Sequence, residues 1–184
     1  MRELVLGPKR FTDLRAALPR VSADVLAQRL RELAAAGVLR RTKLPPPAGS
    51  RVYELTAWGQ DLEPVVLALG RWGSRGPFPE IDGELSTDAL VIALKTLFDA
   101  ERAGDWELLV ELRLGDQRFR AQVGGGRLEI ARGVAERADA SIGAEPPILA
   151  GVLWHDAPRG RLAIDGDADA ARAFLSLFPP PEPA

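Results

Sequence analysis

Apolar residues recur at helical spacing near the start of the chain. Phe11, Leu14 and Leu18 share one side of a segment whose other side carries Arg10, Asp13 and Arg15, which predicts a helix over 11–18. Pro19 ends it, because proline cannot extend a helical hydrogen-bond ladder. Ser22 is a good N-cap for a second helix, and Val21 with Leu26 has the spacing of a hydrophobic staple. Leu26, Leu30 and Leu33 form the buried stripe of that helix, leaving Ala23, Asp24, Ala27, Gln28, Arg29 and Arg31 largely outside it. Gly37 suits the left-handed residue that closes a helix.

The period then changes from helical to alternating. Residues 38–43 and 52–55 read as two strands, and Pro45, Pro46, Pro47, Ala48, Gly49 and Ser50 between them read as a turn or loop. Arg40, Arg41, Lys43 and Arg51 lie on or beside this hairpin, as solvated surface charges or as cations that neutralise phosphates. A third helix is expected between Trp58 and Trp72, capped by Thr56, with Leu62, Val65, Val66 and Leu69 on one side. Pro64 inside it predicts a kink or a division in two. Its apolar face would cover the first domain or join two copies of the chain. Residues 73–79, rich in Gly and Pro, read as a linker.

Past the linker the pattern is mixed. A helix capped by Ser86 is expected over 87–102, burying Leu90, Leu94, Leu97 and Phe98. Trp106, Leu108, Val110, Leu112 and Leu114 alternate as one strand, Gly115-Asp116 turns the chain, and Phe119, Ala121 and Val123 continue as a second. Gly124-Gly125-Gly126 leads to a third strand at Leu128–Ile130, and a fourth is expected over 140–143. Pro146 and Pro147 open a helix running to Trp154, 161–164 makes a last strand, and 168–178 a last helix. The fold class is therefore α+β, a helix-turn-helix with a β-wing followed by a unit with a mainly antiparallel sheet.

Charge supports two domains. Residues 1–76 carry 13 Lys and Arg against 7 Asp and Glu, a net of +6, whereas the remainder carries 11 against 19, a net of −8. The whole-chain value of −2 hides this split, which suits a head that binds a polyanion and a body with another task.

The segments LGPKRFTDLRAALPRVS, LAQRLRELAAAGVLRR, LPPPAGSRVYELTAWG and LEPVVLALGRWG resemble the HxlR family of winged-helix transcriptional regulators. The resemblance implies dimers on double-stranded operator DNA, with the second helix in the major groove and Ser22, Asp24, Gln28, Arg29 and Arg31 at recognition positions. Arg10, Lys43 and Arg51 complete the candidate DNA-binding set. Family members usually carry a further helix ahead of this motif, of which 1–6 reads as the last turns. Its loss, or a start assigned late, would uncover part of the core at Leu14, Leu18, Leu26 and Leu30, and leaves a second possibility, a carrier of hydrophobic ligands that no longer binds DNA.

In the second half, ADASIGAEPPILAGVLWH and GRLAIDGDADAARAFLSLF are similar to the sterol carrier protein fold. That likeness implies an apolar cavity between sheet and helices for a hydrophobic small molecule. Trp106, Phe119, Ile148, Val152, Leu153 and Trp154 are its candidate lining, or else ordinary core. The expected organisation is 1–73 for the DNA-binding domain and its dimer helix, 74–84 for a linker, 85–178 for the sterol-carrier-like domain and 179–184 for a Pro-rich tail.

Chemistry narrows the alternatives. With no cysteine and one histidine, His155, the chain offers no disulfide, no thiolate metal site and no catalytic constellation, so neither an enzyme nor a cofactor is expected. Gly124-Gly125-Gly126 lacks the Lys and Ser/Thr of a phosphate loop and reads as a hairpin turn. Asp165, Asp167 and Asp169 lack the rest of a calcium loop, and Asp167 reads better as an N-cap. His155 reads as a polar cap at the end of a helix. No stretch has the apolar length of a membrane span, which points to a cytoplasmic protein with no membrane partner, and the HxlR resemblance implies that it is a homodimer.

Overall fold

The computed structural model describes residues 1–45, 49–76 and 85–181. Its contacts divide the chain into two units, Met1–Val66 and Leu67–Ala184.

In the first unit, α1 (Arg2–Val5), α2 (Phe11–Ala17) and α3 (Ala23–Ala35) precede a hairpin of β1 (Leu39–Lys43) and β2 (Arg51–Leu55), followed by the single turn α4 (Ala57–Gln60). Leu4, Leu14, Leu26, Leu30, Leu39 and Leu55 form its core, with Met1, Phe11, Leu18 and Val21 packed around them. The expectation that a missing helix would expose this core is corrected here. Leu14, Leu26 and Leu30 are only 2%, 6% and 4% exposed, because Leu4 of the short α1 fills the place.

Both ends of α3 are set locally. Ser22 Oγ accepts the Val25 N–H at 3.3 Å. At the other end Gly37 takes φ +75°, its N–H reaches Ala34 O, and the Val38 N–H reaches Leu33 O at 3.0 Å. That paired closure turns the chain directly into β1. The hairpin is antiparallel, running from Leu39 opposite Leu55 to Lys43 opposite Arg51. Lys9 and Tyr53 exchange two backbone hydrogen bonds of 3.0 and 2.8 Å on the free edge of β2, a third strand position that alternation did not signal. The turn residues 46–48 lie outside the described residues.

The expected third helix forms as two pieces, α4 and α5 (Glu63–Ser74). Thr56 caps α4, its Oγ1 accepting the Gly59 N–H at 3.1 Å. Pro64 stands in the first turn of α5, where a missing N–H costs nothing. The helix continues through Gly73 and Ser74, so the expected linker starts inside it; Ser74 Oγ bonds back to Arg71 O at 3.0 Å.

The second unit contains α6 (Thr87–Leu97), α7 (Ala100–Ala103), β3 (Leu108–Leu114), β4 (Gln117–Gly124), β5 (Arg127–Arg132), β6 (Ala140–Ala144), α8 (Pro146–Trp154), β7 (Ala163–Gly166) and α9 (Ala168–Ser176). Strand order is β5-β4-β3-β6-β7, with β3 and β6 parallel and every other pair antiparallel. Val110, Leu112, Phe119, Ala121, Val123 and Ile142 are fully buried on one face, with Leu90 and Leu94 of α6 and Ala171 of α9 equally enclosed. The alternate positions are polar: Glu111 meets Arg118 at 3.6 Å and Ser141 at 3.2 Å, and Arg113 pairs with Asp165.

Three boundaries differ from expectation. The helix over 87–102 breaks after Leu97, because Phe98 turns extended and Asp99 caps α7 by accepting the Glu101 and Arg102 N–H groups. A distant partner holds the break: the Asp99 N–H donates to Leu177 O at 2.9 Å. Trp106 lies ahead of β3, tied by its N–H to Ala103 O. The last strand starts at Ala163, with Arg159–Arg161 forming a 3-10 turn before it. The glycine run does form the β4–β5 hairpin turn, with Gly125 and Gly126 both at positive φ. Asp167 caps α9, and His155 stands at the C-cap of α8.

Candidate nucleic-acid interface

With Leu26 and Leu30 buried, α3 turns Asp24, Val25, Gln28, Arg29, Arg31 and Glu32 to solvent. Their state of pairing differs. Gln28 Nε2 donates to Glu32 Oε1 at 3.0 Å, and Arg29 Nη1 reaches Glu32 Oε2 at 2.7 Å. Arg29 first, and Gln28 after it, hold the Glu32 carboxyl below its ordinary pKa, so Glu32 is charged at neutral pH. Arg31 has no ion pair among the described residues. Ser22 spends its oxygen on the N-cap. Two side chains on this face, Val25 and Glu32, were not singled out from the sequence. The i, i+3 and i, i+4 spacing of Arg29 and Gln28 to Glu32 is a legible signal for the latter.

Arg10 lies at the N-cap of α2, bound by Asp13 through its side chain at 2.8 Å while its backbone N–H donates to the same carboxylate at 3.0 Å. The Arg10 guanidinium holds the Asp13 carboxyl below the usual carboxylate range, and its own pKa is raised in return. Arg10 is exposed but already paired.

The wing sorts its cations. Arg40 is tied to Glu54 at 2.6 Å, and Arg41 lies 5.9 Å from the centre of the Tyr53 ring. Lys43 and Arg51 are exposed, have no ion pair among the described residues, and face each other in the last register pair. Arg41, Thr42, Lys43 and Arg51 line an open cleft of about 270 Å³ with no acidic side chain in its lining. Three cations around one cleft suit an anionic oxygen ligand such as a phosphate diester.

On α5, Val65, Leu69 and Trp72 are 60%, 64% and 76% exposed at i, i+4 and i+7, an apolar stripe that the described residues leave uncovered. In the second unit, Phe119 is fully buried on β4, Trp106 is exposed, and Ile148, Val152, Leu153 and Trp154 are half-buried on α8. Trp154 Nε1 is enclosed without a hydrogen-bond acceptor among the described residues. No group of acidic or histidine side chains suited to a metal ion occurs among the described residues. No helix among them is long and apolar enough to cross a membrane.

Residues 1–77 match the family described as HxlR-like helix-turn-helix. Among similar proteins is the uncharacterized HTH-type transcriptional regulator YvaP of Bacillus subtilis (strain 168), 36% identical over 72 residues, which are 39% of this chain and 67% of YvaP. The uncharacterized HTH-type transcriptional regulator sll1512 of Synechocystis is 38% identical over 74 residues, 40% of this chain but only 55% of its own length. The chain thus spans about two thirds of the first relative and little more than half of the second. The crystal structure of the HTH-type regulator ytcD is 35% identical and matches 39% of this chain and 74% of that one, with a TM-score of 0.36. Identity at this level across two thirds of YvaP, together with the family match over residues 1–77, means that the chain belongs to the HxlR-like helix-turn-helix family.

Proposed function

We propose that this protein is a transcriptional regulator that reads duplex operator DNA, with α3 in the major groove and the β1–β2 wing on the flanking backbone. The observation that carries the reading is the wing cleft of Arg41, Lys43 and Arg51, with no carboxylate in its lining among the described residues. Such cations bind phosphates by releasing counterions, and phosphate contacts set the register in which α3 meets base edges. The uncharged Ser22 and Gln28 and the charged Asp24, Arg29 and Arg31 are then the groove-facing set, with Arg10 beside α2. The core whose exposure would favour a carrier that no longer binds DNA is covered, which supports the regulator reading.

The exposed stripe of Val65, Leu69 and Trp72 fits a homodimer, which would space two recognition helices on a two-fold operator. The second unit has the element order of a sterol-carrier-like domain and would hold a hydrophobic effector against Trp106, Phe119 and the α8 residues Ile148, Val152, Leu153 and Trp154. The unpartnered Trp154 Nε1 supports this, since a ligand oxygen would satisfy it. An effector acts only through its differential affinity for the two spacings of the dimer. A cytoplasmic site of action follows from this role.

The test is a mobility shift of the full chain on DNA from its own promoter region across a range of salt. Binding that is sequence-selective and falls steeply with salt supports the reading. Weak binding that ignores both sequence and salt overturns it.

A further inference from the structure

Val25 is the one large apolar side chain that α3 leaves in water, 49% exposed in the first turn of the helix. A β-branched residue at an exposed helical position gains nothing from packing and loses rotamer freedom. Asp24, Gln28 and Arg29 are exposed beside it, and two of them, Gln28 and Arg29, already hold Glu32. The side chain of Val25 takes no part in the core of the first unit, and its backbone N–H caps the helix by binding Ser22 Oγ. Its two methyl groups are therefore unspent, at the end of a recognition helix that enters the groove first.

Resting on the operator-binding reading above, we infer that Val25 is a specificity-determining residue that packs its methyl groups against the C5-methyl of a thymine in each operator half-site. In the major groove that methyl is the only apolar group a base pair presents, and an apolar side chain reads it without a hydrogen bond. Gln28 lies one turn along on the same face. Its carbonyl oxygen is left free by the bond from its amide nitrogen to Glu32, so it can accept from an adenine N6 beside that thymine. A half-site that carries an A·T pair under the first two turns of α3 follows.

The experiment replaces thymine by deoxyuridine, one position at a time, in a duplex selected by the full chain from a random library. Deoxyuridine removes the methyl and nothing else. One thymine per half-site is expected at which replacement weakens wild-type binding about fourfold, the worth of one buried methyl. The Val25→Ala variant, an exposed change that keeps the melting temperature, binds the thymine and deoxyuridine duplexes alike. Selective wild-type binding that is indifferent to deoxyuridine everywhere overturns the role of Val25 and leaves the regulator standing. A thymine effect that persists undiminished in Val25→Ala also overturns it. Failure to select any sequence overturns the operator reading itself, and this inference with it.

Discussion

Lys43 and Arg51 stand directly opposite each other at the outer end of the wing hairpin, two exposed cations with no carboxylate in the lining of the cleft they share. Like charges in opposite register destabilise a strand pair, so this arrangement detracts from the hairpin unless an anion joins it. Nearer the base of the same strands, Arg40 opposes Glu54 and is paired. The hairpin can balance its charges, and its tip does not.

Replacing either Lys43 or Arg51 by Ala is expected to weaken DNA binding by a similar factor on every sequence and to lower the salt slope by about one. Thermal stability should stay level or rise, because a repulsion is relieved. Titrations by fluorescence anisotropy at four or five salt concentrations decide it, and an unaltered slope in both variants would count against the wing as a phosphate clamp.

Glu32 holds Gln28 and Arg29, two of the donors on the exposed face of α3. Glu32→Gln keeps the shape while removing a negative charge that would lie near DNA, so binding should tighten and the salt slope steepen by about one as Arg29 reaches a phosphate. Arg29→Ala and Arg31→Ala should each weaken binding. Affinities equal to wild type in all three variants would show that α3 does not face the groove.

The apolar stripe on α5 makes a prediction about assembly. Leu69→Asp and Trp72→Asp place a charge on residues already in water, so the fold should persist while the dimer dissociates. Sedimentation velocity should show a monomer for the variants and a dimer for wild type. A variant that remains dimeric would locate the contact elsewhere.

Gly59 has no room for a side chain: a Cβ there would stand 2.0 Å from Val38 O and 3.2 Å from Leu55 Cβ. Backbone oxygen cannot step aside without moving the base of the wing. Gly59→Ala should therefore cost on the order of 3 kcal/mol, at the upper end of overpacking. Urea unfolding would measure it. A loss below the resolution of that method would mean the α4 turn is free to shift.

The sequence by itself determined the local events of this protein. The stripe of Leu26, Leu30 and Leu33, the Ser22 cap, the Gly37 closure and the alternation through the wing are short-range, and each needs only neighbouring residues to take effect. The second helix of the helix-turn-helix, the basic wing and the order of elements in the second unit were legible for that reason. Only the tertiary structure decided what depends on partners far along the chain. It broke the helix after Leu97 because Leu177 O accepts the Asp99 N–H, and it laid β6 parallel beside β3, inserting a strand between two that alternation leaves unordered. It also covered Leu14, Leu26 and Leu30 with Leu4 and paired Lys9 with Tyr53, which no periodicity encodes. At the interface the division is the same. Residue type and spacing name the candidate cations, but whether Arg40 is neutralised while Lys43 and Arg51 have no ion pair among the described residues is set by which side chain lies across the strand, a distance the linear chain does not contain.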